Sequence, residues 1–160
     1  MAGRNLVPMT DNESDLGSPT KRWKDVYVTN IVGYYNKGNV VGTVSQSGGV
    51  PTGAVIESGS NSNGSYIKFA DGTLICYSPD LIVDSTIAIG SMFRSDSGYW
   101  TFPLEFANTS YSMSSCNIGN EQTHWGVCRP NSTTSCIYSV FSPTSATGRP
   151  IRITVIGRWF

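Results

Sequence analysis

The fold of this chain is decided by the stretch Tyr66-Ile67-Lys68-Phe69-Ala70-Asp71-Gly72-Thr73-Leu74-Ile75-Cys76-Tyr77. Its two ends are rich in aromatic and β-branched residues, which favour β-strands. Between them stands Asp71-Gly72, and both residue types tolerate the positive φ angles of a tight turn. The stretch therefore predicts a β-hairpin with strands at residues 66–69 and 73–77.

The same pattern continues on both sides of this hairpin. Short strand-like runs alternate with clusters of Gly, Pro, Asn and Asp, and no stretch has ten or more residues with the apolar spacing of a helix. Further strands are predicted at residues 54–57, 86–88, 99–102, 111–117, 125–129, 135–141 and 151–156, with a polar loop at 58–65. The sequence thus predicts an all-β fold, with a β-sandwich or small barrel over residues 51–160.

Residues 1–50 have a different character and are predicted to form an extended arm and linker. Pro and Gly interrupt this region and leave only short strand-like pieces, which cannot form a core alone. The arm is either disordered or wound together with the arms of other copies. Its many large apolar residues favour intertwining between copies. The residues expected to be buried between chains are Trp23, Val26, Val28, Ile31 and Tyr34.

Composition excludes several classes of function. Only 14% of the residues are charged, compared with about 25% in a typical domain, so the polar surface consists mainly of uncharged side chains, as in an adhesin or an assembly subunit. The formal net charge is zero, which disfavours nucleic acid as a partner. No apolar run approaches the length of a membrane span, and the N-terminus lacks the apolar core of a secretion signal. We expect no membrane insertion and synthesis in a cytosol.

The four cysteines, Cys76, Cys116, Cys128 and Cys136, all lie in the second half of the chain. An even number is compatible with disulfides in three connectivities, but without a secretory route reduced, half-buried thiols on strands are favoured. A zinc site using His124 and Cys128 is the sharper alternative. The absence of any Cys-x-x-Cys pair disfavours it, so we expect neither a metal nor a cofactor.

Four segments of the chain, taken in sequence order, resemble segments of bacteriophage tail-fibre and tail-spike proteins. Residues 15–28, Asp15-Leu16-Gly17-Ser18-Pro19-Thr20-Lys21-Arg22-Trp23-Lys24-Asp25-Val26-Tyr27-Val28, resemble a recurring Leu-Gly-Ser turn that leads into Arg-Trp and a strand. Residues 63–77 resemble the opening hairpin of the tail-fibre C-terminal domain, and residues 151–159 resemble its closing strand. Between them, residues 100–106 match an aromatic-Pro-x-x-Phe segment.

The resemblance implies a homotrimeric fibre subunit of the virion tail, made in the cytoplasm of the host bacterium. The arm would join other phage tail or baseplate proteins, and the β domain would meet a glycan of the bacterial surface, either lipopolysaccharide or capsule. A structural tail adaptor or cap, without receptor binding, is the first alternative. A glycan-degrading tail enzyme is the second.

Catalysis is disfavoured by the residues themselves. Glycan hydrolysis usually needs two carboxylates at the cleavage site, and no pair of acidic residues after residue 50 is marked by its neighbours. His124 is the only histidine, and no Gly-x-Ser-x-Gly motif accompanies it. We therefore expect no catalytic residues and no enzymatic activity.

Two predicted loops, residues 94–100 and 117–131, combine aromatic side chains with polar and charged ones. Rigid aromatic groups and adaptable polar groups suit recognition, and sugars are held by aromatic faces and hydrogen-bonding side chains. The candidate ligand contacts are Arg94, Asp96, Tyr99, Trp100, Asn120, Glu121, His124, Trp125, Arg129 and Asn131. For Tyr99, Trp100 and Trp125 the alternative is packing in a core or between chains. For Asn120, Glu121 and Arg129 it is an ordinary solvated loop.

Overall fold

The structure is a computed structural model that describes residue 20, residues 40–119 and residues 123–160. All strands described here lie within the unit Tyr35–Phe160. Several predicted residues lie outside the described residues, so their roles stay predictions. These are Trp23, Val26, Val28, Ile31 and Tyr34 of the arm, and Asn120 and Glu121 of the second predicted loop.

The elements of this part of the chain are thirteen β-strands, so the predicted all-β fold is confirmed. The strands are β1 (Gln46–Ser47), β2 (Val50–Pro51), β3 (Ile56–Asn61), β4 (Gly64–Phe69), β5 (Thr73–Tyr77), β6 (Leu81–Ser85), β7 (Ile87–Ile89), β8 (Met92–Arg94), β9 (Gly98–Thr101), β10 (Ser112–Asn117), β11 (Trp125–Ser132), β12 (Ser135–Ser142) and β13 (Ala146–Arg158).

The predicted hairpin is present as β4 and β5, with Ile67 opposite Ile75. Gly72 has a φ of 95°, a conformation that glycine adopts without steric cost. The carboxylate of Asp71 accepts a hydrogen bond of 2.8 Å from the N–H of Thr73. This Asx-type contact holds the turn, as expected for Asp at this position.

Two sheets carry the fold. The first has the order β10-β13-β5-β4-β3, and β6 also pairs with β13. The second has the order β11-β12-β8-β7, and β9 also pairs with β12. The sheets do not close into a barrel, so the open sandwich is the correct one of the two predicted architectures. Strands β1 and β2 form a separate two-stranded ribbon.

Side chains from both sheets meet in one core. The first sheet contributes Leu74, Cys76, Ile151, Ile153 and Val155, all fully buried, and the second contributes Cys136 and Val140. An aromatic cluster from β9 and the segment after it fills the space beside them: the rings of Trp100, Phe106 and Tyr111 each lie 5.1–5.3 Å from the ring of Phe102, edge to face. Edge-to-face contacts add to the burial of these large side chains.

In each sheet, two short strands pair with the same long strand and are separated by a break. A serine at the break forms hydrogen bonds with the long strand. Between β5 and β6, Ser78 donates its N–H to Ile153 O, and Ile153 N–H donates to Ser78 Oγ, both at 2.9 Å. Between β8 and β9, Ser95 does the same with Val140, at 2.8 Å and 2.9 Å. Each hydroxyl in turn donates to the carbonyl of the next residue. The serine hydroxyl thus accepts the hydrogen bond that a backbone carbonyl of a continuous strand would accept. Without it, a backbone N–H of β13 or β12 would be buried and unpaired.

The predicted polar loop at residues 58–65 is wrong, because these residues extend β3 and begin β4. Gly59 lies opposite Tyr66, and a Cβ built on Gly59 would lie 2.7 Å from the Tyr66 hydroxyl oxygen. The ring therefore covers the glycine and compensates for its missing side chain. Strand β6 and strand β8 were not predicted, and β3 begins at Ile56, later than the predicted residue 54.

Residues 41–44 are held against β3 and β4 by a charged cluster. Val44 is buried (1% exposed), its N–H donates to Glu57 Oε2 at 2.8 Å, and its carbonyl accepts from Lys68 Nζ at 2.7 Å. Burial raises the pKa of Glu57, but the hydrogen bonds from Val44 and Tyr66 and the charge of Lys68 outweigh it, so that the pKa lies below its ordinary value.

All four cysteines lie on strands and are free. Cys76 and Cys136 are fully buried, whereas Cys116 is exposed and Cys128 half-buried. Burial raises the pKa of the Cys76 and Cys136 thiols to about 12, because the core cannot solvate a thiolate.

Replacing Ser95 with Ala is expected to destabilise the protein by about 1–3 kcal/mol, because the buried N–H of Val140 loses its acceptor. The free energy of unfolding, measured by denaturant titration at one protein concentration, checks this. The matched control is Ser58→Ala, at an exposed strand position, which should change stability by less than about 0.5 kcal/mol. Equal stabilities of the two variants would contradict the role of Ser95.

Thiol labelling at pH 8 should show one rapidly modified cysteine in the folded protein. Cys116 reacts first because it is exposed, whereas thiols with a pKa of about 12 are ionised in only about one molecule in 10⁴ at that pH. Peptide mass spectrometry after timed alkylation checks the order, and Cys116→Ser should remove the fast phase. Rapid modification of Cys76 or Cys136 without unfolding would contradict the described core.

Candidate ligand-binding surface

The side of the second sheet that faces away from the core is the candidate ligand-binding surface, and we call it the outer face. Successive residues of a strand point to opposite sides of a sheet. Trp100 of β9 points into the core, so Tyr99 points out and is 66% exposed. On β11 the exposed large apolar side chains are Trp125 (43%) and Val127 (50%).

The strand register aligns these side chains in two rows across three strands. In the first row Tyr99 of β9 is paired with Ile137 of β12, which is paired with Arg129 of β11. In the second row Arg94 of β8 is paired with Phe141 of β12, which is paired with Trp125 of β11. Each row therefore places an arginine and an aromatic ring on opposite sides of an apolar central residue.

The second row contains a stacked aromatic pair. The rings of Trp125 and Phe141 lie 6.3 Å apart at their centroids, with an angle of 14° between their planes. Between the rows is a small hollow of about 110 Å³, whose lining includes Val127, Ile137 and Ser139. A partly exposed indole face beside a hollow offers a flat apolar platform that costs little conformational entropy to order.

The two arginines define what this face can bind. A guanidinium donates up to five hydrogen bonds in a fixed planar geometry and accepts none. Arg94 Nη1 donates to the carbonyl of Ser95 at 3.2 Å, which uses part of that capacity and fixes the side chain. The face is therefore suited to a ligand that combines apolar C–H surface with hydroxyl, carboxylate or phosphate oxygens.

Of the predicted ligand contacts, Arg94, Tyr99, Trp125 and Arg129 come together on the outer face. Asp96 lies in the break between β8 and β9, next to this face. The remaining described candidate on the surface is Asn131, at the far end of β11, and its amide donates to Ser135 Oγ at 2.9 Å.

Trp100 and His124 are not on the surface of this chain. Trp100 is 3% exposed and donates its indole N–H to the carbonyl of Asn63. It therefore packs in the core, which is the alternative that the sequence analysis gave for it. His124 is 6% exposed, and its Nε2 lies 3.0 Å from the carbonyl of Pro150. Alternation along β9 explains why Tyr99 and Trp100, adjacent in sequence, have opposite environments.

Three residues of the outer face were not predicted: Val127, Ile137 and Phe141. Alternation along β12 is the sequence pattern that indicates Ile137 and Phe141. Cys136, Tyr138 and Val140 face the core, and the residues between and beside them face out. Ile137 is nearly covered by its neighbours (6% exposed), and it acts as the floor of the face.

Two further properties of the described residues are relevant to function. No group of three or more His, Cys, Asp or Glu side chains among them is placed to hold a metal ion. Among the same residues there is also no helix with the length and apolarity needed to cross a membrane.

Comparisons with known proteins give few matches. No family model and no curated protein matches the chain. One solved structure does: a P. aeruginosa R1 pyocin fibre comprising C-terminal residues 323–701, with 18% sequence identity and a TM-score of 0.45. The match covers 65% of this chain and 29% of the pyocin fibre fragment, so this chain spans less than a third of that fragment.

Proposed function

We propose that this chain is a homotrimeric tail-fibre subunit of a bacteriophage, and that its β domain attaches the virion to a glycan of the bacterial surface. The observation that carries the proposal is the outer face, where four predicted ligand contacts, Arg94, Tyr99, Trp125 and Arg129, lie on neighbouring strands. The sequence motifs that resemble tail-fibre segments support the same assignment.

The composition of the outer face favours a glycan over an apolar or strongly charged partner. Tyr99 and Trp125 present aromatic surface to solvent, and aromatic faces pack against the C–H groups of sugar rings. Arg94 and Arg129 supply donors for sugar hydroxyls and for the anionic groups that are common in lipopolysaccharide and capsule. The formal net charge of the chain is zero, so attraction to the surface depends on this local contact.

The same face favours binding without cleavage. Its described residues, Arg94, Tyr99, Trp125, Val127, Arg129, Ile137 and Phe141, include no carboxylate, whereas glycoside hydrolysis requires a general acid and a second carboxylate beside the bond. Most described carboxylates are occupied elsewhere: Asp80 pairs with Arg152, and Glu105 accepts a hydrogen bond from Thr133. The proposed role is therefore attachment.

Assembly is assigned to residues 1–50. The residues assigned to the interchain contact need a partner, and intertwining with two further copies would bury them; they are Trp23, Val26, Val28, Ile31 and Tyr34. The segment would also join the fibre to other tail or baseplate proteins. The subunit would thus occupy the virion tail, with the arm on the virion side and the β domain on the bacterial side.

Truncating the outer face should abolish glycan retention. The double variant Tyr99→Ala/Trp125→Ala is expected to bind at least about 100-fold more weakly than the unchanged protein, because the two exposed aromatic contacts of the outer face are removed. Retention on immobilised lipopolysaccharides and capsular polysaccharides, purified from a panel of Gram-negative bacteria, measures this. The matched control is Tyr77→Ala, an exposed tyrosine of the first sheet (36%), which should bind normally.

The same experiment separates the alternatives. Failure of the unchanged protein to bind any glycan of the panel would favour a structural adaptor or cap. New reducing ends in the polysaccharide after incubation would identify a glycan-degrading enzyme. If the Tyr77→Ala control lost binding equally, the outer face would not be the specific binding surface.

Deleting residues 1–39 is expected to convert a trimer into a monomer, because the apolar residues assigned to the interchain contact are removed. The deletion ends before Val44, so the contacts of Val44 with Glu57 and Lys68 stay in place. Molar mass from light scattering checks the result, and circular dichroism confirms that the β domain is folded. A truncated protein that is still trimeric would refute the assembly role of the arm.

A further inference from the structure

A groove of about 370 Å³ lies between β6, β7 and the break that separates β8 from β9. Its volume is within the range of small-molecule sites. The side chains that matter for its chemistry are Val83, Asp84, Thr86, Ile87, Asp96 and Ser97. We name it the β6–β9 groove.

We propose that the β6–β9 groove is a second sugar subsite, which holds one uncharged sugar residue by hydrogen bonds from its neighbouring hydroxyl groups. The inference rests on the proposed attachment to a glycan and adds a site outside the outer face. It also states which chemical class of sugar that site accepts.

The first argument is that Asp96 has an unused carboxylate. The other carboxylates that the structure describes each accept a hydrogen bond within the protein: Glu57 from Val44, Asp71 from Thr73, Asp80 from Arg152, Asp84 from Gly148 and Glu105 from Thr133. Asp96 has no such partner in the described part of the chain. Asp96 lines the groove and is exposed, so its carboxylate is available to a ligand.

The second argument is that Asp84 is fixed in place and still has accepting capacity. Its Oδ1 accepts a hydrogen bond of 2.8 Å from the N–H of Gly148, and a carboxylate has about four acceptor positions. Two Asp residues therefore line one groove, and the carboxylate of one of them is held by the backbone of Gly148. Carboxylates accept strong, charge-assisted hydrogen bonds from hydroxyl groups, and a sugar offers such groups in adjacent pairs.

The charge and the apolar lining of the groove favour an uncharged sugar. Two Asp residues and no Lys or Arg line the groove, so an anionic sugar would be repelled without compensation. Val83 and Ile87 supply apolar surface on β6 and β7, which suits the C–H face of a sugar ring. The groove thus complements the outer face, whose arginines accept anionic groups.

The groove is continuous with the outer face. Ser97 lines the groove, and its Oγ lies 3.4 Å from Oγ of Ser139. Ser139 lies on β12 between Ile137 and Phe141, the central residues of the two rows, and it also lines the hollow of the outer face. One polysaccharide chain can therefore contact both sites, with consecutive sugar residues in different chemical surroundings.

NMR titration with simple glycosides tests the groove directly. Methyl α-mannopyranoside, an uncharged sugar with adjacent hydroxyls on one side of the ring, should shift the amide signals of Asp84, Asp96 and Ser97. Asp96→Asn should weaken this binding about tenfold, because a hydrogen bond to a charged group is lost. Glucuronic acid should bind about tenfold more weakly than the neutral glycoside, because its carboxylate meets two others.

One variant matches the charge change of Asp96→Asn, and another blocks the groove by bulk. Asp80→Asn removes one negative charge outside the groove and should leave glycoside binding unchanged. Thr86→Trp adds bulk at an exposed groove position and should block the site. Preserved chemical-shift dispersion confirms that each variant is folded.

The outcomes separate this inference from the proposed function. Chemical-shift changes confined to Tyr99 and Trp125 would overturn the proposal that the groove binds a sugar. Full retention of Asp96→Asn and Thr86→Trp on a bacterial glycan would do the same. Both outcomes would leave attachment through the outer face intact. No shift with any glycoside would also overturn the groove proposal. Shifts in the groove that Asp96→Asn weakens would support it even if no glycan of the panel is retained through the outer face.

Discussion

The structure depends on the backbone pairing of β13 more than on any other interaction. This strand of thirteen residues pairs with β10 on one side and with β5 and then β6 on the other. Within the described residues, β10 and β6 have no other paired strand. Its inward residues Ile151, Ile153 and Val155 are fully buried. Trp159, just beyond its end, donates hydrogen bonds to the carbonyls of Gly72 and Phe69, so the first hairpin and the last strand hold each other.

The serine breaks connect this architecture to the proposed binding sites. A continuous partner strand along β12 would place Ser95, Asp96 and Ser97 in a flat ladder. The break turns Asp96 and Ser97 out of the ladder, while Ser95 stays paired with Val140 through its own N–H and its hydroxyl. As a result the chain forms one wall of the β6–β9 groove and then returns to the sheet with Tyr99 on the outer face. One local solution to a hydrogen-bonding problem thus shapes both candidate sites.

Local features of the fold were predictable from sequence, whereas features set by distant pairing were not. The Asp-Gly hairpin was predictable because its turn chemistry lies within a few residues. Strands β6 and β8 were missed because they are short and exist as strands through pairing with β13 and β12. For the candidate site, residues 94–100 contribute Arg94 and Tyr99 to the outer face, but sequence could not decide whether Tyr99 or Trp100 faces out. That choice depends on which side of β9 meets the core. Phe141 and Ile137 were missed for the same reason, since their neighbours come from other strands.

The attachment of residues 41–44 to the first sheet has a mechanical meaning. Val41 bridges Ile56 in parallel, Gly42 and Ala54 add backbone hydrogen bonds that link the two segments, and Lys68 clamps the carbonyl of Val44. Tension applied at residue 40 along the direction of residues 41–44 acts on these contacts in shear, so they share the force at the same moment instead of opening one after another. In the proposed tail-fibre role, a pull between the tail and the receptor would load this junction, and the load would be divided among these contacts.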